Sequence, residues 1–114
     1  MALNDAALVV AANAINTAIT HIQAHSAAPN ASYTTNQIGS RVAVTGTVDA
    51  DGDITWSTVA FTGLPASGPV THISYWSAST GGTNYGGAAL TGDLSANASG
   101  SYTVSSVTET STAA

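Results

Sequence analysis

The spacing of apolar residues changes once along this chain, near residue 20, and this change limits what the chain can fold into. Residues 5–19 have apolar side chains at helical spacing, whereas from Thr20 onward short stretches alternate between apolar and polar residues. Alternation with a period of two is typical of strands that bury one face. Turn signals separate these stretches at short intervals. The pattern therefore predicts one N-terminal α-helix and a mainly β domain, a small β-sandwich or barrel of six to eight short strands.

The helix is predicted over residues 5–19. Asn4 or Asp5 can cap its first turn, and the carboxylate of Asp5 suits the positive end of the helix dipole. The apolar side chains share one face, formed by Leu8, Ala11 or Ala12, Ile15, Ala18 and Ile19. The polar side chains on the opposite face are Asn13, Asn16 and Thr17. We expect the apolar face to lie on the sheet, and insertion into a partner's groove is the alternative.

The strands are predicted at residues 20–26, 41–48, 54–61, 70–78, 88–91 and 102–108. Turns are predicted at the Asp-rich stretch 49–53 and at the stretch 63–69, which is rich in Gly and Pro. Glycines in the stretch 81–87 predict tight turns or the close approach of another backbone. Residues 1–114 are expected to form a single domain, with the sandwich over about 20–108 and a short tail at 109–114.

Two of the predicted strands have nearly the same sequence. Residues 20–27 and 71–78 are identical at five of eight positions. We expect the two strands to occupy equivalent places, side by side in one sheet.

Charged side chains are scarce in this chain. Arg41 is the only Arg, there is no Lys, and six carboxylates give a formal net charge of −5. Ordinary soluble domains have about a quarter charged residues. Such a surface has little to repel neighbours, which favours a chain that works packed in an assembly. One Arg cannot form the basic cluster that nucleic acid or an anionic membrane requires, and without Lys neither a P-loop nor a Schiff-base enzyme is possible.

The turn at residues 49–53 contains three carboxylates at alternate positions, Asp49, Asp51 and Asp53. Alternate carboxylates can converge on a hard cation such as calcium. The stretch departs from an EF-hand loop, because Gly52 is fourth instead of sixth and Ala60 stands at the twelfth position in place of Glu. Asp-Gly between two alternating stretches is a strong hairpin signal. The sequence favours a plain hairpin turn, with a cation site as the alternative.

His21, His25 and His72 are the three histidines, and three imidazoles can in principle bind zinc. His21 and His72 fall at matching positions of the two similar strands, where a half-buried His bonded to a backbone group is the commoner arrangement. The chain has no Cys to complete a metal site. The sequence therefore favours structural roles for all three.

Four aromatic residues are candidates for a platform on which sugars stack: Trp56, Tyr75, Trp76 and Tyr85. The other interpretation is that both Trp residues anchor the core, because a chain with so few large side chains needs them there. We favour the second interpretation.

No residue pattern indicates catalysis. A Gly-x-Ser-x-Gly nucleophile elbow is absent from the sequence, and the carboxylates nearest to one another lie in a single turn. We expect no enzymatic activity, no cofactor, and no catalytic, cofactor-binding or metal-binding residues. Residues 1–19 lack the basic segment of a signal peptide and are too polar to span a bilayer, so no membrane partner is expected.

Three stretches give the chain a family resemblance. Residues 2–7 read Ala-Leu-Asn-Asp-Ala-Ala, residues 20–29 read Thr-His-Ile-Gln-Ala-His-Ser-Ala-Ala-Pro, and residues 76–82 read Trp-Ser-Ala-Ser-Thr-Gly-Gly. Over about residues 2–107 the chain resembles small virion proteins of tailed phages that infect actinobacteria, often labelled tail fibre or minor structural proteins. The usual members have a glycine-rich insertion after the proline, where this chain has Pro29-Asn30-Ala31-Ser32.

The resemblance implies a non-enzymatic structural protein of the virion, assembled in the cytoplasm of a bacterial host. We expect a homo-oligomer of cyclic symmetry that contacts major capsid or tail proteins, and the resemblance transfers no catalytic residue. An accessory subunit that decorates the capsid surface is favoured over a tail position, because fibre shafts are usually long and repetitive. The alternative is a tail-tip or fibre-associated module that binds host cell-wall carbohydrate through the aromatic residues.

The two polar ends of the chain are Met1 to Asn4 and Thr108 to Ala114. Nothing in their own sequence would order them. We therefore expect both ends to contact other subunits.

Overall fold

The chain forms one helix and two antiparallel sheets within residues 3–111, the part that this computed structural model describes. The elements are α1 (Asp5–Ala18), β1 (His21–His25), β2 (Gln37–Ala43), β3 (Thr47–Val48), β4 (Ile54–Phe61), β5 (His72–Trp76), β6 (Asn84–Ala89) and β7 (Tyr102–Glu109). The four-stranded sheet has the order β2-β1-β5-β6, and the three-stranded sheet has the order β3-β4-β7. The mainly β fold with one N-terminal helix is confirmed, and the sheets do not close into a barrel.

The core lies between the two sheets, as the alternation of the strands requires. β1 and β5 contribute Ile22, Ala24, Ile73 and Tyr75, and β4 contributes Ile54, Trp56, Val59 and Phe61. Trp56 stacks on Tyr75 with ring centroids 5.1 Å apart and an interplanar angle of 24°. Burial of each large apolar side chain contributes roughly 1.5–3 kcal/mol, so this layer is the main source of stability.

Helix α1 begins where the sequence predicts it. The side chain of Asn4 accepts a hydrogen bond of 3.0 Å from the Ala7 N–H and caps the first turn. The buried stripe is narrower than predicted, because Leu8 and Ala12 are buried in the helix whereas Ile15 is 46% exposed. Asn16, predicted on the outer face, instead donates a 3.0 Å hydrogen bond to the Gly46 carbonyl.

The predicted strand 41–48 is wrong as one element, because the chain leaves one sheet and enters the other within it. β2 ends at Ala43 in the four-stranded sheet, and β3 begins at Thr47 in the three-stranded sheet. The crossing point needs glycine: a Cβ on Gly46 would lie 2.5 Å from Asn16 Oδ1 and 2.8 Å from Trp56 Nε1. The helix therefore packs directly on the backbone of this connection.

The two strands of similar sequence are neighbours in one sheet, as predicted. β1 and β5 pair antiparallel, with His21 opposite Trp76 and His25 opposite His72. Their odd and even positions separate the side chains onto two faces. Ile22 points into the core, and His25 lies on the opposite face.

Strand β6 begins at Asn84, inside the stretch that the sequence assigns to glycine-rich turns. The interpretation of these glycines as places of close backbone approach is confirmed at Gly87, where a Cβ would lie 2.3 Å from the Ile73 carbonyl oxygen. The same Cβ would lie 2.4 Å from Tyr33 Cε1, so the loop before β2 packs on this strand.

The C-terminal segment contacts its own chain as far as Ser111, so these residues do not need another subunit to be ordered. The expectation that they also contact another subunit stays a prediction. Ser111 donates from its N–H to Asp53 Oδ1 at 3.0 Å and from its hydroxyl to the Gly52 carbonyl at 2.7 Å. Glu109 accepts a hydrogen bond from the Tyr75 hydroxyl. Asn4 likewise caps its own helix. The predictions for residues 1–2 and 112–114 lie outside the described residues.

β4 and β7 pair in one continuous register, yet both change face midway. Trp56 and Val107 face the core as a pair, and so do Val59 and Val104. Val59 lies three residues after Trp56 and Val104 three residues before Val107, a spacing that would put them on opposite faces of a regular strand. Thr58, between these pairs, has a left-handed φ of 54°, which is unfavourable for a β-branched residue. The reversal brings Val59 back to the core.

We predict that Thr58→Gly stabilises the protein. Glycine adopts the left-handed conformation without the penalty of a branched Cβ, so the free energy of unfolding should rise by roughly 0.5–1 kcal/mol. The matched control is Ser57→Gly, because Ser57 is also exposed on β4 but has no left-handed φ. It should lower the free energy of unfolding by roughly 0.5–1 kcal/mol. Chemical denaturation measures both, and equal losses would contradict the prediction.

Candidate interaction surface

The carboxylates at residues 49–53 hold a hairpin turn together, as the sequence favours. β3 and β4 pair antiparallel on either side of it. Asp49 Oδ1 accepts hydrogen bonds of 2.9 Å from the N–H groups of both Asp51 and Asp53. Oxygens of all three carboxylates lie within 4.8 Å of one another on an exposed loop. Backbone N–H groups satisfy Asp49 and Asp53, so the cluster is explained by the turn, and the cation alternative stays untested.

His25 is fully buried within a hydrogen-bonded chain of three side chains. Its Nδ1 lies 2.9 Å from the Thr35 carbonyl oxygen, which can only accept, so Nδ1 carries the proton. Its Nε2 then accepts from the Ser74 hydroxyl at 2.7 Å, and Ser74 Oγ accepts from Trp76 Nε1 at 2.8 Å. The neutral imidazole thus satisfies every group. Burial lowers the pKa of His25, and the nearby His72 lowers it further although the Thr35 contact opposes this.

The three histidines do not converge on one point. His21 Nδ1 and His72 Nδ1 each lie 2.8 Å from the hydroxyl of the preceding threonine, Thr20 and Thr71 respectively. Both nitrogens of His25 are occupied by hydrogen bonds. The half-buried positions predicted for His21 and His72 are confirmed, but their partners are side-chain hydroxyls instead of backbone groups.

Trp76 lies on the opposite face of the four-stranded sheet and is only 5% exposed. The guanidinium of Arg41 covers its ring at 3.9 Å from the centroid. Arg41 Nη1 also donates to the carbonyls of Ala78 and Gly81, both at 2.8 Å. The single Arg of the sequence therefore fixes the 77–83 loop over Trp76 and is engaged within the chain.

Three of the four candidate stacking residues, Trp56, Tyr75 and Tyr85, line one cavity of about 340 Å³ at the end of α1. Trp56 and Tyr75 stack on each other and are at most 3% exposed, so their faces are not free for a ligand. Only Tyr85 is exposed. Burial raises the pKa of Tyr75, and so does its hydrogen bond to Glu109. The prediction that both Trp residues anchor the core is confirmed for Trp56, which belongs to the core between the sheets, whereas Trp76 is buried on the opposite face beneath Arg41.

A groove of about 740 Å³ lies between β7 and the end of β6. The two sheets approach each other on the other side, where the chain passes from β2 to β3. Ile73, Leu90, Val104 and Val107 are apolar residues in its wall. The groove therefore borders the core along residues 102–108 of β7, although Ile73 and Val107 themselves are buried.

Four strands are sheet edges, and three of them have features that discourage pairing with another chain. β2 has a register shift and Gly39 at a φ of 64°. β6 has a register shift and Gly86 at a φ of 105°. β3 has only two residues.

β7 is the unprotected edge. It is eight residues long and keeps one register with β4 throughout. It has neither Lys nor Pro, and Glu109 at its end is its one charged residue. Exposed, long and uncharged edges are templates for strand addition. Sequence reasoning found this strand but not its place at an edge, which depends on the pairing order of distant strands.

Among residues 3–111 no helix is long and apolar enough to cross a membrane.

No family model, curated protein or solved structure matches this chain. The arguments for function therefore rest on the residues themselves.

We predict that the buried His25 makes stability depend on pH in a definite direction. The unfolded chain takes up a proton on this His as the pH falls through about 6.5, whereas the folded chain does so only at lower pH. The free energy of unfolding should be fully retained above about pH 6.5 and should fall below it, by at most about 1.4 kcal/mol per pH unit.

His25→Gln supplies the control, because Gln can form hydrogen bonds but does not titrate. Denaturant unfolding between about pH 7 and about pH 5 measures both proteins. The variant should be less stable than the wild type at neutral pH, and its free energy of unfolding should no longer fall as the pH is lowered. An identical pH profile for the two proteins would show that His25 is not the cause.

Proposed function

We propose that this chain is a non-enzymatic structural subunit of a phage particle, an accessory protein that binds copies of itself and neighbouring virion proteins. The single observation that best supports an assembly role is β7, an eight-residue edge strand with one charged residue, Glu109, beside an open groove. The scarcity of charge supports the same role independently, because few like charges oppose close packing of subunits. The place in a virion rests on the resemblance described above.

A catalytic role has little support from the geometry. His25 and Ser74 form a pair of the kind that activates a serine nucleophile, with 2.7 Å between Nε2 and Oγ. Both residues are fully buried, so no substrate reaches the hydroxyl. In a catalytic triad a carboxylate orients the imidazole, whereas here the group bonded to His25 Nδ1 is the Thr35 carbonyl. The pair is better explained as a satisfied polar contact within the protein.

Within the particle we favour the capsid surface over the tail. The described fold is short, and it lacks the repeated units of a fibre shaft. Pairing along an edge strand suits an accessory protein that is present in many copies, because each copy can bind the next through main-chain hydrogen bonds.

The alternative is a tail-tip module that binds host cell-wall carbohydrate. Its main support in the sequence was a row of aromatic faces, and of those four residues only Tyr85 is exposed. If the alternative holds, Tyr85→Ala should abolish binding of purified protein to cell-wall glycans without changing its thermal stability. Absence of binding by the wild type, or equal binding by the variant, would count against it.

We predict that the protein is a component of particles at high copy number. Quantitative mass spectrometry of purified particles of the encoding virus, calibrated against the major capsid protein, measures the copies per virion. Hundreds of copies are expected for capsid decoration. A handful of copies would indicate a position at the tail tip instead of the capsid surface, and absence from particles would overturn the virion role.

A further inference from the structure

The sequence of β7 is a palindrome in its six central residues. Residues 103–108 read Thr-Val-Ser-Ser-Val-Thr in both directions. Antiparallel pairing of a strand with its own copy reverses one of the two sequences. When the centre of a palindrome lies on the two-fold axis, every residue therefore meets a residue of its own type.

The faces of β7 follow the same mirror pattern. Tyr102, Val104, Val107 and Glu109 lie on the core side, whereas Thr103, Ser105, Ser106 and Thr108 are exposed. The reversal of face falls between Val104 and Val107, at the centre of the palindrome. A regular strand paired about a point between two residues would set opposite faces against each other. The reversal in β7 removes this conflict.

We infer that β7 pairs antiparallel with β7 of a second copy of this chain, with Ser105 opposite Ser106 of the second copy. Val104 then faces Val107, and Thr103 faces Thr108. The two three-stranded sheets become one continuous six-stranded sheet across a two-fold axis. This deepens the proposed function, on which its biological meaning rests, by naming the partner and the register.

Only this register keeps core-side residues opposite core-side residues along all eight positions. A shift by one residue places Val104 opposite Ser106, so an apolar side chain meets an exposed polar one. A shift that sets Val104 opposite itself leaves Tyr102 opposite Ser106. Since Val104 and Val107 pack against the core whereas the serines and threonines of β7 are exposed, the hydrophobic pattern selects the register.

The charges and the groove favour the same pairing. The two Glu109 carboxylates would lie at opposite ends of the paired strands, about 24 Å apart at about 3.4 Å per residue, so they do not repel each other strongly. Tyr102 of each copy faces Glu109 of the other. Val104, which is only half-buried in one copy, gains an apolar neighbour beside the groove.

The test uses charge pairs at the two-fold axis. In Ser105→Lys/Ser106→Lys, four ammonium groups would meet at the centre of the interface, and in Ser105→Glu/Ser106→Glu four carboxylates would meet there. Both serines are exposed, so the isolated fold should persist, and far-ultraviolet circular dichroism checks this. The matched control is Ser79→Lys/Thr80→Lys, which places the same charge on an exposed loop.

Sedimentation velocity should show a dimer for the wild type and for the loop control, and a monomer for each charged β7 variant alone. An equimolar mixture of the Lys and Glu variants should sediment as a dimer again, because unlike charges then face each other. A monomeric wild type at all concentrations, a dimeric Lys variant, or a mixture that stays monomeric would overturn the inference.

Cross-linking tests the register and does not depend on whether the charged variants fold. The chain has no Cys, so an introduced pair is unique. A mixture of Thr103→Cys and Thr108→Cys proteins should cross-link between unlike chains through a short thiol reagent, and neither protein should cross-link alone. Cross-linking of either variant with itself would contradict the register. These measurements use purified protein and test only the pairing of β7. The pairing can therefore be overturned while the protein is still found in particles, and the virion role can be overturned while the purified protein is still a dimer.

Discussion

The structure depends on one contact between its two sheets, the stacking of Trp56 on Tyr75. Trp56 belongs to the three-stranded sheet and Tyr75 to the four-stranded sheet. The Tyr75 hydroxyl donates to Glu109 of β7, so the same aromatic pair also fixes the last strand. In a chain with only two Trp residues, this pair supplies much of the large apolar surface that can be buried. It joins the two sheets near the end of the helix.

The scarcity of charge has a counterpart inside the fold. Arg41 covers Trp76 and holds two carbonyls of the 77–83 loop, so the one Arg of the sequence is not a free surface cation. The buried His25 is likewise satisfied by neutral partners, the Ser74 hydroxyl and the Thr35 carbonyl. Neutral hydrogen bonds contribute roughly 0.5–1.5 kcal/mol each and depend little on salt.

Local sequence was sufficient for most elements and insufficient for their arrangement. The helix start at Asn4 and the hairpin at Gly52 depend on neighbouring residues only, and both were predicted correctly. The break at Gly46 was missed because Asn16 and Trp56, which crowd it, are distant in sequence. The burial of the Trp residues could be predicted from their rarity. The edge position of β7 could not, because a strand lies at an edge only when no other strand pairs on its second side, and that depends on the pairing of the whole sheet.

The pairing of β4 with β7 also determines when the second sheet can form. During synthesis, β4 leaves the ribosome before β5 and β6, and its partner follows only after both of them. The four-stranded sheet has all its strands by Ala89, while β4 still has one open side and the apolar residues Trp56, Val59 and Phe61. Chains grow at about 5–20 residues per second, so this open side persists for seconds in each nascent molecule. Because β7 is the partner of β4 on this side, β4 keeps the open side until residues 102–109 have been synthesised.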